Sequence, residues 1–583
     1  MKLPKLIRVS GIAVLILVFI IVGAVILFDR YAEKIVETYL QKYYTGSELS
    51  QVYDIKYDGI GIGLISGKVH LKGVKISPKS TFFDTPDSLR FKYPLLLELN
   101  LQKLSISGLT RNLSGDLGRI SLQSVGIDEP SIKLIDHLTA KEKKMILELK
   151  KQGLPDTLTK KTALPHIIVD ELLVSEGQFE FYDRNHKKSV FSVGNVTIAG
   201  DAIDFKPNEK GKIVFSEKSG TLTLGFKNIN YLTNDGFYKI NLGNLEINLP
   251  EFVIIAENFK LIPQYDKQSF GRKFRRQTDR MDVAAKKITI GKWDIEKWQN
   301  EGQIWIDEIV VDGVMLDIYR DKSVEPDLTI FPKLPQEALA SMDVGLNIGA
   351  VRVTNAEIFY QEQIAGASEA GKVPIVNMQA TMNNVTNIET VKNTSGHMKW
   401  ELTGKVFGHG SYEVLIDFHG SSHPADFSFS GSIGGMDMTL LNQMIVPNEH
   451  IRIDSGYMVS TTFNVNASRT NATGEMHLQY KDLKITLLKD KDEEGLKDRG
   501  LFSSLANATI RIFKLDKKTG DVETAYIHYD RDLNKGVFNY IIKSLLNGVM
   551  ASVLPSKNIT PEEQKKKQEK ENRKKARQER KKK

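Results

Sequence analysis

The feature that most constrains the fold is a fifteen-residue segment present twice without a gap: Val169–Asp183 reads VDELLVSEGQFEFYD and Ile306–Arg320 reads IDEIVVDGVMLDIYR. Weaker copies stand at Leu122–Asp136 (LQSVGIDEPSIKLID) and Ile348–Glu362 (IGAVRVTNAEIFYQE). Such recurrence means a repeated supersecondary unit. Within each copy apolar and polar residues alternate, the period of a strand with one buried face, so each copy reads as strand, turn, strand. The pairs Ile132/Leu134, Phe179/Phe181, Leu316/Ile318 and Ile358/Tyr360 fall on one face, and Lys133, Glu180 and Asp317 on the other. Phe359 departs from that rule in the last copy.

Alternation of the same kind runs through KVHLKGVKIS (68–77), ELNLQKLSISGL (98–109), YKINLGNLEINL (238–249) and SYEVLIDFHG (411–420), with Gly, Asn and Asp at turn-like intervals between the runs. This predicts a mainly β chain with antiparallel connections. Helical patterns are few: 139–152, a segment near 266–282, and one near the C-terminus. So many one-faced strands carry more apolar surface than those helices can cover. Packed sandwiches, closed barrels, or an open trough holding lipid chains would each solve that problem.

Among the 583 residues there is no cysteine, which removes disulfides, thiolate metal sites and cysteine nucleophiles together. The net charge of +8 is concentrated at the end: residues 561–583 hold twelve Lys or Arg and five Glu, a net of +7, leaving +1 for everything before. A nucleic-acid-binding body would show a basic stripe within its fold, so no nucleic-acid partner is expected. Arg272, Lys273, Arg275 and Arg276, interleaved with Phe270 and Phe274, form a pattern that nucleic-acid binding also uses. At the other end, residues 9–28 (VSGIAVLILVFIIVGAVILF) form an uncharged stretch long enough to cross a bilayer. Lys2, Lys5 and Arg8 precede it, which keeps the N-terminus cytoplasmic and puts the body outside the cytoplasm. Tyr31, Ile35, Tyr39 and Tyr43 then share one face of a juxtamembrane helix.

With this anchor, five features resemble the AsmA-like family of bacterial envelope proteins, whose larger relatives include TamB and which is akin to the bridge-like lipid transfer proteins. They are the anchor itself, YDIKYDGIGIGLISGKVHLKGVKIS (53–77), the repeats LPHIIVDELLVSEGQFEFYD and QIWIDEIVVDGVMLDIY, NFKLIPQYDKQSFGRKFRRQTDRMDVAAKKITI (258–290), and GSIGGMDMTLLNQMIVPNEHIRIDSGYM with GEMHLQYKDLKITLL. The resemblance implies a long, curved, antiparallel repeating β-groove with few helices, held in the inner membrane by one N-terminal transmembrane helix and projecting into the periplasm. It implies that the groove binds phospholipids or transfers them between envelope membranes. For Arg272, Lys273, Arg275 and Arg276 it implies a solvated or headgroup-facing segment instead of a nucleic-acid contact. The alternative is a non-enzymatic envelope assembly or scaffold factor for outer-membrane protein biogenesis, with outer-membrane or periplasmic proteins as partners.

The expected organisation is a cytoplasmic N-terminus (1–8), a transmembrane anchor (9–28), a juxtamembrane helix (29–50), two β-groove regions (51–300 and 301–535), an amphipathic helix (536–554) and a basic disordered tail (555–583). Ile132, Leu134, Phe179, Phe181, Leu316, Ile318, Ile358 and Tyr360 are the candidate groove lining. In 536–554, apolar pairs recur every four residues, making Phe538, Ile541, Ile542, Leu545 and Val549 candidates for a membrane-surface face or a cap on the groove. The other reading of that helix is packing against the last strands. No catalytic constellation is legible. Gly59, Gly61 and Gly63 do not complete a dinucleotide fingerprint, there is no Gly-x-Ser-x-Gly elbow, and His409, His419 and His423 lack an acidic ligand set. Neither enzymatic activity, metal nor cofactor is expected.

Overall fold

The computed structural model describes residues 48–553 apart from 64–67, 109, 113–118, 152–165, 208–212, 216–219, 250, 420–422, 450 and 488–521, together with 558–560 and 562–563. The expected membrane span, nearly all of the juxtamembrane helix and most of the basic tail lie outside the described residues. Among the described residues, no helix is long and apolar enough to cross a membrane.

The chain is mainly β and divides into two compact units, residues 1–260 and 261–583, ahead of the 300/301 division read from the sequence. The first unit holds β1 (Tyr53–Lys56), β2 (Gly59–Gly63), β3 (Lys68–Pro78), β4 (Leu95–Ser107), β5 (Thr110–Asn112), β6 (Arg119–Asp128), β7 (Ser131–Asp136), β8 (Ile167–Asp183), β9 (Lys188–Pro207), β10 (Ile213–Phe215), β11 (Leu222–Leu232) and β12 (Tyr238–Leu249). The chain division falls within β13 (Val253–Pro263). In the second unit are β14 (Asp279–Trp293), β15 (Ile304–Asp312), β16 (Met315–Asp321), β17 (Leu346–Gln363), β18 (Gly371–Thr386), β19 (Met398–Val406), β20 (Gly410–Phe418), β21 (Phe427–Ile433), β22 (Met436–Asp437), β23 (Ile451–Ala467), β24 (Asn471–Leu487) and β25 (Ala525–Asp530). Four helices matter below: α1 (Ala140–Lys151), α2 (Lys267–Phe274), α3 (Pro335–Ala340) and α4 (Val537–Val553).

The repeats pair with one another, and they do so in parallel. β6 and β7 lie end to end along β8, with Leu122 opposite Val169 and Ile132 opposite Phe179. β15 and β16 lie in the same way along β17, with Ile306 opposite Ile348 and Leu316 opposite Ile358. The sequence alignment of the copies is thus also their strand register. This corrects the expectation of a wholly antiparallel sheet: each unit's sheet is mixed. Parallel neighbours need a long crossover, and the connections that contain α1 and α3 supply it. On the outer sides the pairing is antiparallel, with β4 spanning both β6 and β7, and β14 spanning both β15 and β16.

The turn expected inside each copy is a kink instead. Glu129, Glu176, Gly313 and Asn355, each the eighth residue of its copy, have φ of 47°, 53°, 65° and 52°. One residue in the left-handed region shifts the alternation by a position while the strand continues in its direction. In β8 the buried residues accordingly change parity across Glu176: Leu172 and Val174 before it, Gly177 and Phe179 after it. Phe359 keeps its register, paired with Asp317 on one side and Pro374 on the other. The helix expected near 266–282 is shorter than read. The Asp266 carboxylate caps α2 by accepting from the Gln268 and Ser269 amides, Arg275 ends it in the left-handed region, and Asp279 already begins β14.

Two apolar clusters carry the units. In the first, the buried residues of the main cluster among the described residues, from Val74 to Leu222, sit on strands. A smaller layer on the opposite face joins Leu96 and Ile135 to Val52 and Phe82. In the second unit the cluster joins β18–β25 to α4 through Tyr540, Ile541, Ala551 and Val553.

Candidate functional site

Following the register strand by strand, an apolar residue occupies every step of one row across eight strands of the first unit. It runs Ile55, Ile76, Leu99, Ile132, Phe179, Val193, Ile229, Leu242, through β1, β3, β4, β7, β8, β9, β11 and β12. Seven steps at ~4.8 Å give a track of about 34 Å along the sheet. A neighbouring row, Leu97, Leu134, Phe181, Phe191, Tyr231 and Ile240, runs beside it. The second unit repeats the device: Ile290, Ile309, Val351, Met382, Trp400, Ile416, Phe429 and Val465 face one another in turn across β14, β15, β17, β18, β19, β20, β21 and β23. Alternation within each strand puts the side chains of a row on one face, so each track is a continuous apolar stripe.

Burial varies along both stripes. In the first unit Leu99, Ile132, Leu134, Phe179 and Val193 are buried, whereas all twelve residues of β12 are half-buried. In the second, Ile416, Phe429 and Val465 are 2%, 1% and 0% exposed beneath the α4 cluster, while Ile290, Ile309, Val351 and Met382 are half-buried. Of the predicted lining, Ile132, Leu134 and Phe179 therefore belong to a packed core, and Phe181, Leu316, Ile318, Ile358 and Tyr360 keep partial access. The structure brings these residues together in two groups: Ile132 opposite Phe179 with Leu134 opposite Phe181, and Leu316 opposite Ile358 with Ile318 opposite Tyr360. The opposite faces are ionic, as alternation predicts. Lys133 pairs with Glu180 at 3.0 Å, and Lys267 of α2 with Asp317 at 2.9 Å.

Beyond Ile318 and Tyr360 the apolar face ends in a polar cluster that sequence reading missed. Arg320 donates to both carboxylate oxygens of Asp279 at 2.7 and 2.6 Å. Glu362, buried, accepts from the Tyr360 hydroxyl at 2.8 Å and pairs with Lys322 at 2.6 Å. Burial, together with the Glu362 charge, pushes the Tyr360 phenol far above its ordinary pKa, so it stays protonated. The pattern Tyr-x-Glu opposite Tyr-Arg at the ends of two copies was the available signal.

The remaining candidates have structural positions. Phe270 is buried and stacks on Phe274 at 6.2 Å; Arg276 lies over Phe274 and pairs with Asp327 at 3.1 Å. His419 meets the His397 ring at 6.4 Å, and no group of His, Asp or Glu among the described residues could hold a metal ion. On α4, Ile541 faces the core, Leu545 and Val549 are partly buried against it, and Phe538 and Ile542 face outward, 60% and 56% exposed. The Tyr540 ring packs edge-on against Phe427. The helix thus packs on the last strands while keeping two large apolar side chains in the open. No protein-family model matches this chain, and no curated protein matches it.

Proposed function

We propose that this is an inner-membrane-anchored, periplasmic, non-enzymatic protein of a bacterial envelope that binds phospholipids or transfers them between membranes. The observation that carries the reading is the pair of continuous apolar stripes with half-buried stretches. A stripe of about 34 Å matches the ~30 Å hydrocarbon core that two opposed acyl chains fill. At about 0.8 kcal/mol per buried methylene, comparable apolar contact brings a chain out of a bilayer at little net cost. Curling each sheet about its stripe would form an apolar groove, and the absence of helical residues, among the described residues, from the buried part of the first unit's main cluster supports that curl. Anchoring and orientation rest on residues 9–28 and the basic residues before them.

The test is mass spectrometry of lipids retained by the purified chain, with photocrosslinking at the half-buried positions. Several phospholipids per chain are expected. Phe181→Asp combined with Leu316→Asp should leave a folded protein that no longer crosslinks acyl chains; undiminished crosslinking would reject the assignment of this face. A folded, monodisperse protein that retains no lipid would instead support an assembly or scaffold role, a reading favoured by the burial of Ile132, Leu134 and Phe179 in protein core.

A further inference from the structure

Among the described residues of the second unit, six of the eleven exposed large apolar side chains lie in two short segments: Leu328, Ile330 and Phe331 (65%, 41% and 62% exposed), and Leu533, Phe538 and Ile542 (39%, 60% and 56%). Some two hundred residues apart in sequence, the segments are tied side by side. The Asn534 side-chain amide donates to the carbonyls of Leu328 at 3.0 Å and Ile330 at 2.8 Å, and Arg531 donates to the carbonyl of Pro332 at 2.9 Å. Leu334, fully buried in the core cluster, roots the first segment, and Tyr540 roots the second. Single exposed apolar residues are ordinary, but a set held together on a fixed base marks an interaction surface.

We propose that this set is a docking surface for an anionic phospholipid bilayer. Two observations select that occupant. First, the carbonyls of Leu328, Ile330 and Pro332 already have donors within the protein, so the loop can enter a medium without water and leave those acceptors satisfied. Second, residues 561–583, with their net charge of +7, begin eight residues after α4 ends; eight extended residues reach about 26 Å, more than the ~16 Å of helix between Ile542 and Val553, so this polybasic segment can meet the same negatively charged headgroups. This contact differs from the apolar stripes in what it holds, a membrane surface where they would hold individual lipids, and Phe538, against Trp400 at 6.4 Å, is where it touches the second stripe.

The cysteine-free sequence makes the test direct. Ile330→Cys and Ile542→Cys, each labelled with the polarity-sensitive fluorophore NBD, are prepared in the full chain held in phosphatidylcholine nanodiscs, with Glu413→Cys on β20 as the control. Vesicles of phosphatidylglycerol and phosphatidylcholine in equal parts should shift the emission of the first two labels to the blue and at least double its intensity, leaving the control unchanged. Leu328→Asp with Phe331→Asp should abolish the response at position 542, and removal of 561–583 should weaken vesicle binding at least ten-fold. Both changes fall on exposed or tail residues, and circular dichroism checks the fold. Lipid retained by the protein, measured in the same preparations, should be unaltered by them. Unchanged emission at both sites overturns the proposal. So does an equal response to pure phosphatidylcholine vesicles, or a shift that follows protein concentration without vesicles, which would mark a surface for self-association.

Discussion

Asp312 accepts a hydrogen bond from the Thr354 hydroxyl at 2.6 Å, across the parallel junction of β15 and β17. The same relation recurs in the first unit, where the Ser175 hydroxyl donates to Asp128 at 3.1 Å. Both pairs sit at the seventh position of their copies, immediately before the residue with positive φ. The carboxylate therefore fastens two kinks at the same level, and the adjoining Asn355 amide also donates to Asp312 at 2.7 Å. These donors hold the Asp312 carboxyl below its ordinary pKa. A depressed carboxyl contributes stability above its unfolded pKa, about 3.8, and loses it as the pH falls through the folded value. Asp312→Asn should lower the unfolding midpoint at neutral pH and flatten the decline below pH 3.8. Denaturant melts at pH 3 and pH 7 check both.

The kink itself predicts a second effect. Gly313 has φ of 65°, and a side chain there would meet the Lys286 side chain at 2.5 Å. Gly313→Val should cost about 2 kcal/mol or more, since the left-handed region alone costs 1–2 kcal/mol for an L-residue and a β-branched one fits worst. Asn355→Gly, at the equivalent position of the neighbouring copy, keeps the left-handed backbone and loses only the amide bond to Asp312, so it should cost less, about 1 kcal/mol. Equilibrium urea unfolding separates the two variants.

The register of the repeats was legible because equivalent residues of paired copies face each other, so aligning the sequences also aligned the strands. Their direction was misread. The helical pattern at 139–152 stood between two copies and marked a crossover, but the Gly and Asn between the runs suggested hairpins. Asp312-Gly313 and Thr354-Asn355 look the same as turn dipeptides whether the chain reverses or only twists by one residue. Alternation showed which residues share a face, as Ile318 and Tyr360 do. It could not show how much of that face a distant segment covers, and Phe427, beside Phe429 on β21, is covered by Tyr540 of α4, more than a hundred residues away.

That difference in cover is measurable. Phe429 is 1% exposed and packed near Phe463 and Phe427, so Phe429→Ala should cost about 3–5 kcal/mol. Ile309 occupies the same stripe where it is half-buried. Ile309→Ala should cost well under that, about 1–2 kcal/mol, because part of its surface never leaves water. If retained lipid completes that surface, delipidation should leave the Phe429→Ala penalty unchanged and shrink that of Ile309→Ala. Unfolding in urea before and after lipid extraction is the measurement.

His137 predicts a pH response in the small layer of the first unit. Its ring is 4% exposed and stands edge-on to Phe82 at 5.5 Å. Nε2–H donates to the Tyr93 carbonyl at 2.8 Å, while Nδ1 is buried with no partner. Burial holds the imidazole pKa below 6.5, so the folded protein favours the neutral ring. The unfolded chain then binds the proton more readily, and stability should fall as the pH drops below 6.5 toward the folded value. The protection factors of the Leu96 and Ile135 amides, exchange rates corrected for the intrinsic pH dependence, should fall between pH 7.5 and pH 5.5. His137→Asn should reduce that fall.

Arg320 and Asp279 close the apolar face of the second unit, and their variants should be strongly non-additive. The pair is bidentate, and burial of the guanidinium is offset by the Asp279 carboxylate, which keeps its pKa raised. Removing one partner of such a pair strands the other charge in protein, a loss of about 3–5 kcal/mol. Asp279→Ala should approach that range, reduced by the part of the pair that reaches solvent. Replacing both partners, Asp279→Leu with Arg320→Met, removes the stranded charge and should recover most of the loss, extending the apolar face beyond Ile318 and Tyr360. If the polar cluster marks the end of a lipid site, the double variant should be stable yet retain a different number of lipids. Unchanged stoichiometry in a stable double variant would make the pair purely structural, and the apolar face would end for reasons other than charge.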